Sequence, residues 1–163
     1  MKIRFQTEND KEQLISLIGN FRVSLGKLKG IEREVDLKSA QEELEYYQLK
    51  EFPIFVAEND DTRLIGYHVC RVEENVVWSE SLFVVPDERR KGIGSALYEQ
   101  GEILVKELGG DTLYNWVHPN NDISIHFLKK RGYDVLNLIE IRRKRPDEKF
   151  TQKITVGNHE FNY

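Results

Sequence analysis

The 163 residues, 19.2 kDa, are 39% hydrophobic and 32% charged, which suits one globular domain with a core of its own. A net charge of −4 argues against general nucleic-acid binding driven by bulk charge. A single cysteine, Cys70, leaves no internal disulfide and fits a reducing compartment. No apolar run approaches the roughly 18 residues of a membrane helix, and the opening "MKIRFQTEND" has no apolar signal core. A cytoplasmic location without membrane contact is the expectation.

Taken in order, "KIRFQ" at 2–6 alternates as a short strand. A helix is predicted from Thr7, a capping residue, through the stripe Leu14, Leu17, Ile18 and Phe21, with a break at "SLGKLKG". A second helix, 36–52, carries Leu37, Ala40, Leu44 and Tyr47 on one face. Strands then dominate. "PIFVAEN" and "RLIGYHVCRVE" form a hairpin about "DDT", and "ENVVWSESLFVVP" is a third antiparallel neighbour that Pro86 ends.

A helix is expected at 92–108, with Ile93, Ala96, Leu97, Leu104 and Leu108 on one side and Gly109-Gly110 as its stop. "TLYNWVH" reads as a strand, and "NNDISIHFLKKRGY" as a short helix ending at Gly132. "DVLNLIEIRRK", at 134–144, alternates as a strand, and the tail "KITVGNHEF" suggests an extra hairpin at about 153–161. The order is that of a mixed α/β sheet, antiparallel in its first half, with one strand–helix–strand crossover near the middle. The whole of 1–163 reads as one domain.

The chemistry is concentrated in "VVPDERRKGIGSALYEQ", 84–100. The first amides of a helix lack internal partners and sit at the positive end of its dipole. Gly92 and Gly94 remove side chains that would hold a phosphate away from them, and Arg89, Arg90 and Lys91 add attraction. The turn therefore suits a polyanion such as a pyrophosphate. The Walker pattern and the three-glycine dinucleotide pattern are both absent, and the turn alone also reads as a solvated basic helix start.

In "LFVVPDERRKGIG" the residues Leu82, Val84, Pro86, Arg89, Gly92 and Gly94 match the acetyl-CoA motif of the GNAT superfamily of N-acetyltransferases. "NDISIHFLKKRGY" matches its second motif at Asn121, Ile125, Phe127, Gly132 and Tyr133. The resemblance spans nearly the whole chain. It implies a GNAT fold, a mostly antiparallel sheet splayed at the cofactor site and flanked by about four helices. It also implies an acetyl-CoA pyrophosphate on Arg90, Lys91, Gly92, Ile93, Gly94 and Ser95, with Arg89 opening the motif. The pantetheine arm would run along Leu82, Phe83 and Val84, and Asn121 would contact it from the other side.

The implied reaction is acetyl transfer to a primary amine of a small molecule or protein by direct attack in a ternary complex. Glu80 is the candidate general base, because simple alternation puts it on one face with Leu82 and Val84. A bulge in this strand would upset that parity, and a solvent-facing carboxylate is the plain alternative. Leu128 stands where such proteins often carry a tyrosine acid. That departure gives the rival reading, a non-catalytic acyl-CoA-binding sensor or regulatory module. The four histidines show no ligand spacing, so no metal is expected. Trp78 and Trp116 read as core or cleft wall. The expected partners are acetyl-CoA and an amine acceptor, with a possible homodimer by analogy alone.

Overall fold

The computed structural model describes residues 1–150 and 152–163. They fall into two compact units, Met1–His126 and Phe127–Tyr163. In the first unit five strands lie in the order β1-β2-β3-β4-β5: Lys2–Phe5, Ile54–Glu58, Leu64–Glu73, Val76–Val84 and Leu113–Asn115. Successive pairs are antiparallel except the last, where β5 joins β4 in parallel. That parallel pair demands a crossover, supplied by helix α3, Ile93–Glu107.

β3 is buried over its first seven residues because both its faces are covered. Tyr67 and Val69 point to one face and join Ile54, Val56 and Phe83 against α1 (Lys11–Leu28) and α2 (Leu37–Leu49). Leu14, Leu17, Ile18, Ala40, Leu44 and Tyr47, three of them fully sealed, are the helices' share of that core. Gly66, His68 and Cys70 take the opposite parity and lie under α3. The alternation read from sequence is therefore real, but both of its phases are buried in the central strands.

The chain enters α1 through a 3-10 turn at Glu8–Asp10. There Asp10 Oδ2 accepts from the Thr7 amide at 2.7 Å and the Thr7 hydroxyl at 2.9 Å. Asp10 also takes two bonds from the Arg4 guanidinium, at 2.7 and 2.9 Å, while Arg4 Nε donates to Glu58 at 2.9 Å. Arg4 beside it holds the Asp10 carboxyl down at about 2.

The break expected at "SLGKLKG" comes only at the end of that stretch, since α1 continues to Leu28. Gly26 is buried inside the helix because the following loop crosses it. A Cβ there would meet Ile31 O at 3.0 Å and Arg33 Nε at 2.9 Å. This glycine permits a close approach rather than ending a helix. The actual stop is Gly30, at φ +66°. α2 starts where Asp36 accepts the Ser39 amide at 3.0 Å.

Helix α4, Asp122–Lys130, ends two residues before Gly132, which takes φ +88°. In the second unit, the strand expected at 134–144 does not form: these residues are neither helix nor strand. A strand needs a neighbour to receive its amides and carbonyls, and no ladder reaches this stretch among the described residues. Val135, Leu136, Leu138, Ile139 and Ile141 are exposed. The tail hairpin is present as β6, Lys153–Val156, and β7, His159–Asn162. Among the described residues no helix is long and apolar enough to cross a membrane.

Candidate functional site

β4 changes partners along its length. On one side it pairs with β3 throughout, but the register shifts at a bulge. Val69 faces Ser81 and Cys70 faces Ser79, so Glu80 is the extra residue. On the other side β5 pairs only with Val77, Trp78 and Ser79. From Glu80 to Val84 that edge of β4 has no ladder partner among the described residues. The sheet thus opens at Ser79–Asn115, and Leu82, Phe83 and Val84 line the opened edge. An extended chain carrying amides can dock there as a further strand would.

Beyond the edge the backbone turns sharply. Pro86–Glu88 form a 3-10 turn, Arg90 takes φ +66° and Gly92, at φ +84°, caps α3. A Cβ at Gly92 would meet nothing within 4 Å, so the space next to the turn there is open. The first helical bond is Ala96 N–H to Gly92 O at 3.0 Å. The amides of Ile93, Gly94 and Ser95 precede it and have no helical carbonyl to bond. Arg90 and Lys91 are exposed, with Lys91 Nζ 2.9 Å from Glu88. Arg89 is used differently: its Nε donates to Val84 O at 2.9 Å and its guanidinium lies over Phe83. Arg89 braces the end of β4.

The bulge corrects the parity expected for Glu80. Val84 faces α3, 3.8 Å from where a Gly94 Cβ would lie, and Leu82 shares its phase. Glu80 is on the other face, with Arg71, whose Nε is 3.5 Å from Glu80 Oε2. Both atoms are sealed from solvent, and neither has a hydrogen-bond partner among the described residues. The Arg71 guanidinium lies over Trp78 at 5.1 Å and Trp116 at 4.4 Å, and the two indoles are 4.9 Å apart. Tyr114 packs on Trp78 at 5.0 Å. Reading the strands one at a time missed this cluster. The available signal was the i, i+2 pair Trp78 and Glu80, with Trp116 one residue past the strand that pairs with theirs.

On the α3 side of the same opening, His68 is fully buried. Its Nδ1 is 3.0 Å from Leu97 O and its Nε2 2.9 Å from the Ser79 hydroxyl. Nδ1 therefore carries the proton, and Nε2 accepts from Ser79. Burial pushes its pKa down to about 4. Tyr98 stacks on His68 at 5.6 Å and donates to Asn115 Oδ1 at 3.0 Å. Both residues of the last rung, Ser79 and Asn115, are thus pinned from beneath.

Asn121 begins α4, its Oδ1 accepting the Ser124 amide at 3.2 Å, which leaves its side-chain NH₂ to donate. Leu128 is buried. Cys70 is buried, and its surroundings push the thiol up to about 12, so it is inert as a nucleophile. Among the described residues no three His, Cys, Asp or Glu side chains are grouped as a metal site would need.

The acetyltransferase (GNAT) family model matches residues 27–133, a span holding the opened edge, the glycine turn, Glu80 and Asn121. The chain belongs to the GNAT family. Its mixed five-stranded sheet with four helices is the GNAT fold. A 6'-N-acetyltransferase of aminoglycoside antibiotics from Acinetobacter haemolyticus superposes with a TM-score of 0.71. That match has 16% identity and covers 90% of this chain and 100% of that one. AAC(6')-Iy, solved in complex with the bisubstrate analog CoA-S-monomethyl-acetylneamine, gives 0.70 at 19% identity over 88% of this GNAT chain and 97% of its own. Both likenesses speak to the fold. A mycothiol acetyltransferase from Propionibacterium freudenreichii is 27% identical over 88 residues, 52% of this chain but 28% of that protein. The match thus spans under a third of that relative's length.

Proposed function

We propose that the chain transfers an acetyl group from acetyl-CoA to a primary amine by direct attack in a ternary complex. The observation that carries this is the parting of β4 from β5 after Ser79, followed directly by the left-handed turn at Gly92. An extended amide-bearing arm fits the opened edge at Leu82, Phe83 and Val84. A pyrophosphate fits the amides of Gly92, Ile93, Gly94 and Ser95, with Arg90 and Lys91 beside it. The donor NH₂ of Asn121 serves the arm from across the opening.

With the arm in place, the thioester lies near the bulge. The amine nitrogen attacks the carbonyl carbon, an N–C bond forms, the C–S bond breaks and coenzyme A leaves as a thiolate. Neutralising a lysine-like amine of pKa about 10.4 at pH 7 costs about 4–5 kcal/mol. Glu80, on the face away from α3, takes that proton through water and so supplies part of this. The leaving thiolate is tolerable near neutral pH, so Leu128 in place of an acid does not bar the reaction. A reducing, cytoplasmic setting suits the lone buried thiol of Cys70.

A thiol-release assay with acetyl-CoA and a panel of primary amines tests the reading. Amine-dependent thiol release supports it. Tight acetyl-CoA binding with no release for any amine would return the chain to the sensor reading.

A further inference from the structure

On the reading just given, the remaining question is what carries the amine. The face of the opening away from α3 is built from Glu80, Arg71, Trp78 and Trp116, and its composition is selective. Trp78 is packed between Tyr114 and Trp116. Trp116 lies just past the last paired rung and is 65% exposed. A tryptophan this exposed gains little from folding, so its stability role is small. Its ring meets Arg71 at 4.4 Å and Trp78 at 4.9 Å, and the rest of its surface is open to solvent.

Arg71 links this platform to the reaction site, because the same guanidinium lies over Trp116 and 3.5 Å from Glu80. The carboxylate and the indole are therefore one guanidinium apart. The charge of Arg71 is met by two carboxylates, Glu80 at 3.5 Å and Glu73 at 3.6 Å, so what distinguishes the platform is its rings rather than a net positive charge. A planar apolar group gains ring contact against the indole.

We infer that the acceptor is a primary amine joined by a short linker to an aromatic ring, the ring stacking on Trp116 while the nitrogen faces Glu80. Arg71 is a positioning residue here. Lying over both indoles, it sets the spacing between platform and carboxylate.

The test compares phenethylamine and n-hexylamine as acceptors for the full chain with saturating acetyl-CoA. Aromatic pairing beyond area burial supports a preference on the order of 5- to 10-fold in kcat/KM. Phenethylamine is therefore expected to exceed hexylamine by about that factor. In Trp116→Ala the phenethylamine-to-hexylamine ratio falls towards one, while Trp116→Phe retains it. The thermal shift with acetyl-CoA reports that both variants fold. A ratio near one in the parent, or a preference that survives in Trp116→Ala, overturns the inference and leaves the acetyltransferase reading standing.

If no amine is turned over, that reading fails, and fluorescence decides the inference separately. Trp78 and Trp116 are the chain's two tryptophans, so intrinsic emission reports this cluster alone. Saturable quenching by phenethylamine, absent with hexylamine and lost in Trp116→Phe or Trp116→Ala emission, sustains the ring site. Its absence in the parent removes it.

Discussion

Arg71 Nε stands 3.5 Å from Glu80 Oε2 across the bulge of β4, and neither atom has a hydrogen-bond partner among the described residues. A sealed carboxylate oxygen of this kind costs free energy unless something completes it. Arg71 faces that oxygen, while the Glu80 side chain as a whole keeps 24% exposure, through which an ordered water or the attacking amine can approach it where β4 leaves β5. The strand spends an extra residue to place Glu80 there.

Glu80→Gln is therefore expected to lower turnover by about 10²–10⁴ while acetyl-CoA affinity stays nearly constant. The loss should shrink as pH rises, because more of the amine is then already neutral. Steady-state rates across pH check this. A variant profile parallel to the parent's at nearly equal rate would remove Glu80 from the chemistry.

Gly94→Val should weaken coenzyme A binding by more than about tenfold, because a branched side chain at the second glycine holds a phosphate off the amides of α3. Structurally the site has room, since the nearest neighbour of a Gly94 Cβ is Val84 Cγ2 at 3.8 Å. The fold should thus survive, as far-UV circular dichroism can verify. Gly92→Val adds backbone strain at φ +84°, and some of its effect will appear as lost stability. Calorimetry showing parental affinity for Gly94→Val would move the pyrophosphate elsewhere.

Acetyl-CoA should raise the melting temperature, since a ligand of the native state at about 100 times its Kd adds about 2.7 kcal/mol. Adenosine, lacking pyrophosphate and arm, should not match it. Equal shifts for the two would argue against both the turn and the opened edge as the binding surface.

Much of this was readable in the sequence because local chemistry and global fold agree there. "LFVVPDERRKGIG" combines a strand, a proline stop and glycines at a helix start, and each feature survives in place. Glu80's facing was not readable, because one inserted residue reverses parity and a bulge leaves no mark in a periodic pattern. Gly26 misled for a related reason: its value lies in a loop contact 5 to 7 residues away, not in its own helix. The stretch 134–144 shows the converse. Its alternation is strand-like, but pattern cannot supply the partner a ladder requires. The Trp78, Trp116 and Arg71 cluster joins three strands' worth of sequence and becomes visible only once β3, β4 and β5 are in register.

His68 should make stability depend on pH in a defined window. Its ring is fully buried, stacked on Tyr98, with Nδ1 donating to Leu97 O and Nε2 accepting from Ser79. Cys70 Sγ is 3.8 Å away, and the Glu102 carboxylate acts on the ring in the opposite sense to burial but more weakly. Burial therefore holds the folded pKa near 4, against 6.5 for an ordinary histidine. Between those values the unfolded chain takes up a proton that the native state refuses. This contribution to stability is complete above pH 6.5 and is lost as pH falls towards 4. Its full size is on the order of 3 kcal/mol. Urea midpoints measured at intervals from pH 7 to 4.5 should fall for the parent. His68→Gln removes the titrating group, so although less stable at pH 7 it should lose less over the same interval. The difference in slope should approach one proton, about 1.4 kcal/mol per pH unit. Parallel slopes for parent and variant would mean that His68 is protonated in the native state. Ser79 would then have to accept rather than donate, and the last rung before the opening would be held by a charged ring.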